Sequence, residues 1–264
     1  MCFTTNKVLG EIYINDMKKI NYIYFVYDTL NNEHVEKSIE SFALQDLNLI
    51  DTITIYNNSS TFESNYVESL FKKYQKNINI FDKKTNELPS SKKIVDDVNY
   101  ITNNVADSDL YFLHKADFCL PVNLIKKSFN FFENKSSPHF VNFSKYFMRE
   151  DIVGEKIDDL LKYEKFSDLL NLDYVAKSDK VENYSFKYRL IGYTGIDGGM
   201  HMYNEEARKK LFFHNFTDLS TWSINSQNIK MIHDVDDLYV LHMFHYVGRN
   251  ENRYPDRGKI GHRF

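Results

Sequence analysis

The stretch "SDLYFLHKADFCLP", residues 108–121, decides how this chain is read. Leu110 to Leu113 is an apolar run of strand length. It closes on His114-Lys115-Ala116-Asp117, and Pro121 then suits the first turn of a helix. A cluster of charged and polar residues at the end of a buried strand has a natural place in one architecture. In open α/β sheets, ligands lie beyond the carboxyl ends of the strands.

The segments upstream repeat the pattern. "INYIYFVYD" (20–28), "IDTITIYNNSS" (50–60) and "INIFD" (78–82) are apolar runs ending in polar residues. Between them lie helical patterns. Residues 33–46 carry Val35, Ile39, Phe42 and Ala43 at helical spacing. Residues 60–75 open with Ser60 and Glu63 as a capping box. Residues 90–106 place Ile94, Val98, Ile101 and Val105 on one face. Alternating strands and helices predict a parallel sheet. Tyr27-Asp28, Asn57-Asn58-Ser59, Asp82 and His114 to Asp117 then fall at strand ends and are expected to share one crevice.

Downstream, 121–133 reads as a helix, 139–148 as a strand and 155–172 as a charged amphipathic helix. "DGGMHMYNEEA" (197–207) holds two glycines, a short strand and a helix start. Any seam lies near 120–140.

Composition bounds the class. With 264 residues the chain suits one large α/β domain. Hydrophobic content of 42% with 27% charged residues reads as soluble and globular. A net charge of −4 argues against nucleic acid or anionic membrane as partner. Two cysteines, Cys2 and Cys119, give neither a disulfide framework nor metal-type spacing. No apolar run has signal-peptide length or approaches the roughly 18 residues of a membrane span, so a cytoplasmic setting is expected.

The order of these pieces resembles the GT-A glycosyltransferases, most closely the family 2 type. "SFALQ" (41–45) has the family's Ser-x-x-x-Gln helix ending. Asn57-Asn58-Ser59-Ser60 stands where the family has a polar turn, "HKADFCLP" where it has Asp-x-Asp before a proline-led helix, and "DGGMHMYNEEA" where it has its Gly-Gly segment. The resemblance covers roughly 20–222. Three departures each remove a negative charge. Lys115 replaces the first acid of Asp-x-Asp, Asn57-Asn58 replaces acids, and "STWSIN" (220–225) stands in place of a Glu-Asp pair.

The resemblance implies a GT-A, Rossmann-like, mixed and mainly parallel sheet flanked by helices, in a single domain. Residues 20–120 would form the donor half, 121–248 the acceptor half and 249–264 a basic tail or lid. It implies transfer of a sugar from a nucleotide-sugar, with a UDP-sugar expected, to a glycan or other hydroxyl acceptor. The donor would meet Val26, Tyr27, Asp28, Asn57, Asn58, Asp96, His114, Lys115 and Asp117. Asp117 would serve a Mn²⁺ or Mg²⁺ ion, with His242 or His245 as a late histidine ligand. On this reading Lys115 turns toward the nucleotide or toward Asp28 or Asp96. An extended strand end would keep residues 115 and 117 roughly 6.6 Å apart.

The tail holds Arg249, Arg253, Arg257, Lys259 and Arg263 against Glu251 and Asp256, five cations to two acids and net +3. Arginine forks suit phosphate oxygens. Asp218, then Asp197, stands in order for the general base. Gly198, Gly199, His201 and Trp222 would face the acceptor.

Each assignment has a structural competitor. Asp117 caps the next turn, Lys115 and the tail are solvated, Asp218 is an N-cap, and the histidines and Trp222 are core residues. At the level of the whole chain the rivals are a degenerate member that binds nucleotide or glycan without catalysis, a glycosyltransferase acting on modified DNA, and a nucleotidyltransferase with a similar sheet, against which "VYDTLNNEH" (26–34) lacks a glycine-rich, Lys/Arg-bearing loop. Oligomeric state is left open.

Overall fold

The computed structural model describes residues 18–27, 32–59, 62–83, 91–133, 140–143, 145–149, 157–169, 188–192, 200–210, 213–215, 222–224, 231–232 and 235–243. The chain begins with β1 (Ile20–Tyr27), α1 (Asn32–Phe42), β2 (Ile50–Asn58), α2 (Ser64–Lys72), β3 (Asn77–Asp82), α3 (Ser91–Asn104) and β4 (Leu110–Lys115). Next come β5 (Phe118–Cys119), α4 (Leu124–Glu133), β6 (Phe140–Asn142), β7 (Lys145–Arg149), α5 (Ile157–Leu160) and α6 (Phe166–Leu169). The remainder is β8 (Tyr188–Gly192), β9 (Met200–Asn204), α7 (Glu205–Arg208), β10 (Phe213–Asn215), β11 (Trp222–Ile224), β12 (Met231–Ile232) and β13 (Tyr239–Met243).

Seven strands form the main sheet in the order β12-β6-β9-β4-β1-β2-β3. β9 runs antiparallel to both neighbours, and the other pairings are parallel. This is the expected α/β class, a mixed and mainly parallel sheet flanked by helices. β1 takes the centre because "INYIYFVY" is apolar on both faces, and all eight residues are buried. α1 and α2 cover the face that carries Tyr22 and Tyr24. Tyr22 packs on Phe42 at 4.5 Å between ring centroids and Tyr24 on Phe71 at 5.1 Å. α3 covers the other face, where Phe25 stacks on Tyr56 at 5.1 Å and Val98 and Ile101 are buried. Each such ring pair contributes about 0.5–1.5 kcal/mol beyond its area burial.

At the sheet's amino edge, Glu205 accepts the Tyr111 hydroxyl at 2.6 Å and is forked by Arg208 at 2.5 and 2.8 Å. This knot pins α7 to β4. A second, four-stranded sheet, β5-β13-β7-β8, follows directly from the end of β4. β5, β13 and the short helices share a smaller core of Cys119, Leu160, Leu161, Phe166, Leu169, Tyr239, Leu241 and Met243.

Four local expectations are corrected. The helix over 33–46 stops at Phe42, leaving Ala43 exposed. α2 starts at Ser64 with Glu63 at its N-cap position, where Ser60, which lies outside the described residues, was expected. The strand over 139–148 divides into β6 and β7, which join different sheets. The helix over 155–172 becomes α5 and α6. Asp236 supplies the reason: it accepts from the Ser167 N–H and hydroxyl at 3.2 and 2.6 Å, and its carbonyl takes the Phe166 N–H. A tertiary cap restarts the helix there. Among the described residues no helix is long and apolar enough to cross a membrane.

Candidate donor site at the carboxyl edge

The parallel register aligns the strand ends. Tyr27 sits opposite Asn58, Asn57 opposite Asp82, and Phe25 opposite Lys115. β4 stops at Lys115, and the Ala116 N–H continues its ladder by one bond to the Phe25 carbonyl at 2.9 Å. The chain then turns through Ala116-Asp117 into β5, which pairs with β13. The Met243 N–H donates to the Asp117 carbonyl at 2.7 Å. Asp117 is therefore pinned from both sheets.

Its side chain meets two others. The Tyr27 hydroxyl donates to Asp117 Oδ2 at 2.5 Å, and Lys115 Nζ lies 3.7 Å from the same oxygen. The Lys115 and Asp117 side chains are only 14% and 3% exposed, so the pair is largely shielded from water. Lys115 Nζ also sits over the rings of Tyr27, at 5.8 Å, and Phe118, at 5.2 Å. Aromatic faces attract an ammonium and fix its direction. This corrects the expectation that Lys115 turns away from Asp117. Because the strand ends at 115, the turn brings residues 115 and 117 together instead of spacing them along an extended chain.

The Ser-x-x-x-Gln ending of α1 holds this turn in place. Ser41 Oγ accepts the Leu120 N–H at 2.9 Å. Gln45 Nε2 donates to the Pro121 carbonyl at 2.9 Å, and its Oε1 accepts the Ile125 N–H at 3.0 Å. Gln45 thus clamps the segment between the turn and α4. Gln45→Ala removes the acceptor of the Ile125 N–H and one of the two donors to the Pro121 carbonyl, the other being the Leu124 N–H, and is expected to cost about 2 kcal/mol in urea unfolding.

A second polar cluster lies beside the end of β2. Asp97 on α3 accepts from the Tyr56 hydroxyl at 2.9 Å, from the Asn58 amide and from Lys83 Nζ at 3.2 Å. Burial, with Asp97 beside it, pushes the Tyr56 hydroxyl well above its ordinary range, so it stays a donor. Asp97 makes these contacts, whereas the expected Asp96 is exposed on α3. The sequence carried this signal, since Asp97 sits four residues before Ile101 on the apolar face, but the neighbouring acid was chosen. Lys83 was also missed.

Asn57 builds the turn after β2. Its amide donates to the Phe62 carbonyl and Ser64 Oγ, each at 2.9 Å, and its Oδ1 accepts the Ser59 N–H at 3.0 Å. An aspartate could accept but could not donate, which accounts for asparagine here.

No family model and no curated protein matches the chain. Among solved structures it is similar to S. aureus TarS 1-349 in complex with UDP, at 11% identity and TM-score 0.49, over 86% of this chain and 60% of that one. It is similar to the mannosyltransferase PcManGT from Pyrobaculum calidifontis, in complex with GDP-Man and Mn²⁺, at 9% identity and TM-score 0.45, over 89% and 59%. It is also similar to 4-diphosphocytidyl-2C-methyl-D-erythritolsynthase from Anaerococcus prevotii DSM 20548, at 12% identity and TM-score 0.44, over 89% and 93%. The chain thus spans about three fifths of the length of the TarS and PcManGT chains.

Three expected site residues prove to be core. His114 is fully buried. Its Nε2 donates to the Phe118 carbonyl at 2.8 Å, beside Ser38 Oγ at 3.2 Å, and its Nδ1 accepts the Tyr22 hydroxyl. Strand alternation explains the correction: His114 points under α1, while Lys115 points to the opposite face. His201, expected at the acceptor, is fully buried between Phe140 and Tyr203, with ring centroids at 5.0 and 5.5 Å. Val26 is buried in β1.

His242 lies on β13, opposite Phe118 in register, so its backbone is one residue from Asp117. Trp222 lies on β11. Asp28, Asp197, Gly198, Gly199, Asp218, His245, Arg249 and Arg253 lie outside the described residues.

The described residues do not fit a divalent ion at Asp117. Among them no three His, Cys, Asp or Glu side chains are grouped to hold a metal. Asp117 Oδ2 already receives the Tyr27 hydroxyl and faces a lysine.

Proposed function

We propose that this chain transfers a sugar from a nucleotide-sugar to a hydroxyl acceptor. One observation carries the reading. Tyr27, Lys115 and Asp117 meet at the carboxyl edge of two adjacent parallel strands, where open α/β sheets bind ligands. The ordered resemblance of the sequence segments supports the same reading, with residues 20–120 as donor half and 121–248 as acceptor half.

In the transfer, the acceptor oxygen attacks the anomeric carbon. The bond from that carbon to the diphosphate oxygen breaks, and its electron pair leaves with the nucleoside diphosphate. The hydroxyl proton passes to a base, for which Asp218 and Asp197 are the proposed candidates. A fixed cation beside the diphosphate stabilises the charge that develops there. Lys115 is proposed for this role, with Arg249 and Arg253 as its partners. Gly198, Gly199 and Trp222 are proposed for the acceptor side.

The test uses the purified chain with a panel of UDP-, GDP- and ADP-sugars, UDP-sugars first, and mixed glycan acceptors. Release of nucleoside diphosphate well above the spontaneous rate is expected with at least one donor. A folded chain that binds nucleoside diphosphate but releases none from any donor overturns transfer and leaves a binding protein.

A further inference from the structure

We propose that Lys115 is the resident cation of the donor site, holding the diphosphate where a divalent metal would otherwise be required. Nucleotide binding by this chain is then independent of metal. The inference rests on the nucleotide-sugar reading and reverses the division of labour expected from sequence, in which Asp117 serves a metal and Lys115 stands aside.

Three features of the geometry lead here. First, Lys115 Nζ and the Tyr27 hydroxyl converge on one oxygen, Asp117 Oδ2. A dication bound to that oxygen at about 2.1 Å would sit against the ammonium and would have to displace it. Second, the ammonium is built in. Lys115 leaves a strand whose register with β1 is continuous, and two ring faces and a buried carboxylate hold its head. A mobile surface lysine would lose conformational freedom on meeting a ligand, whereas this one is already placed. Third, its protons are available. At 3.7 Å the contact with Asp117 is longer than a hydrogen bond, so the N–H groups remain to meet phosphate oxygens. Its 14% exposure leaves a path for them.

Asp117 is then a positioning residue. It fixes the ammonium and keeps the site's own charge balanced, and the ligand's diphosphate supplies the negative charge that a metal would otherwise bridge. The acids missing from the sequence fit this arrangement, because a site with a fixed +1 cation needs fewer carboxylates than one holding a +2 ion.

The test is calorimetric titration of the full chain with UDP and with uridine, in excess EDTA and in Mn²⁺. The expected result is a UDP dissociation constant unchanged within about twofold between the two conditions. Lys115→Met, which keeps the stem and removes the charge, should weaken UDP at least tenfold, about 1.4 kcal/mol, and leave uridine unchanged. UDP binding that tightens tenfold or more with Mn²⁺ overturns the inference while the nucleotide reading stands. So does a folded Lys115→Met chain that binds UDP as well as the parent. If that variant fails to fold, the comparison of EDTA with Mn²⁺ on the parent chain decides. A parent chain that binds no nucleoside diphosphate in either condition overturns the donor site and the inference together.

Discussion

Asp117→Ala should cut sugar transfer by roughly a hundred- to a thousandfold, the range for losing one preorganised electrostatic group, because the Lys115 ammonium loses the carboxylate that fixes it. The same substitution should lower stability by roughly 3 kcal/mol, since it leaves the shielded Lys115 ammonium without its carboxylate. These two effects separate in a second variant. Asp117→Ala combined with Lys115→Met removes both charges and should recover most of the stability, yet not the activity. Turnover with whichever nucleotide-sugar of the panel serves as donor, and urea unfolding, measure the two quantities. Near-normal turnover by Asp117→Ala would remove the site assignment. Equal stability of the single and double variants would mean that the ion pair contributes nothing.

Acid should destabilise the protein through one buried histidine. Burial lowers the His114 pKa from 6.5 to about 4, outweighing the favourable contacts to the Phe118 carbonyl and Asp117. The unfolded chain therefore binds a proton between pH 6.5 and 4 that the folded chain refuses. Stability from this group is complete above about pH 6.5 and falls as pH drops toward 4. The loss approaches 1.4 kcal/mol per pH unit and totals about 3 kcal/mol. His114→Gln keeps a donor and an acceptor but does not titrate, so its urea midpoint should change less across this window. Glu205 acts lower. Arg208 chiefly holds its carboxyl at about 2, so its contribution is present above 4.5 and fades only below that. Parallel pH profiles for the parent and His114→Gln would exclude His114 as the acid-sensitive group.

The first half of the fold was legible because β1, β2 and β4 are largely apolar and buried, β3 alternates polar and apolar residues, and amphipathic helices separate them. β1, β2, β3 and β4 begin and end within about two residues of the sequence reading, ordinary uncertainty for element ends. The second sheet was not legible. β5 has two residues, and its partner β13 comes more than a hundred residues later, so no local period announces the pairing. The division of 139–148 between two sheets and the cap that Asp236 gives to α6 are likewise tertiary choices. At the site, position along the strand was readable but direction was not. His114 and Lys115 are adjacent, and alternation sends one into the core and the other to the edge. The reading grouped them. Asp96 and Asp97 are adjacent too, and a step of about 100° on the helix leaves the first exposed and turns the second into the cluster at the end of β2.

The bond from Met243 to Asp117, and the contact of Cys119 with Met243 across 124 residues, bear on how the molecule comes into being. A ribosome adds about 5–20 residues per second, so roughly 6–25 s separate synthesis of the Asp117 turn from synthesis of the strand that secures it. The central strands can assemble during that interval, but the Asp117 turn waits for its last backbone partner. No fragment that stops short of β13 has the turn fully secured, so the emerging chain acquires its architecture before its chemistry.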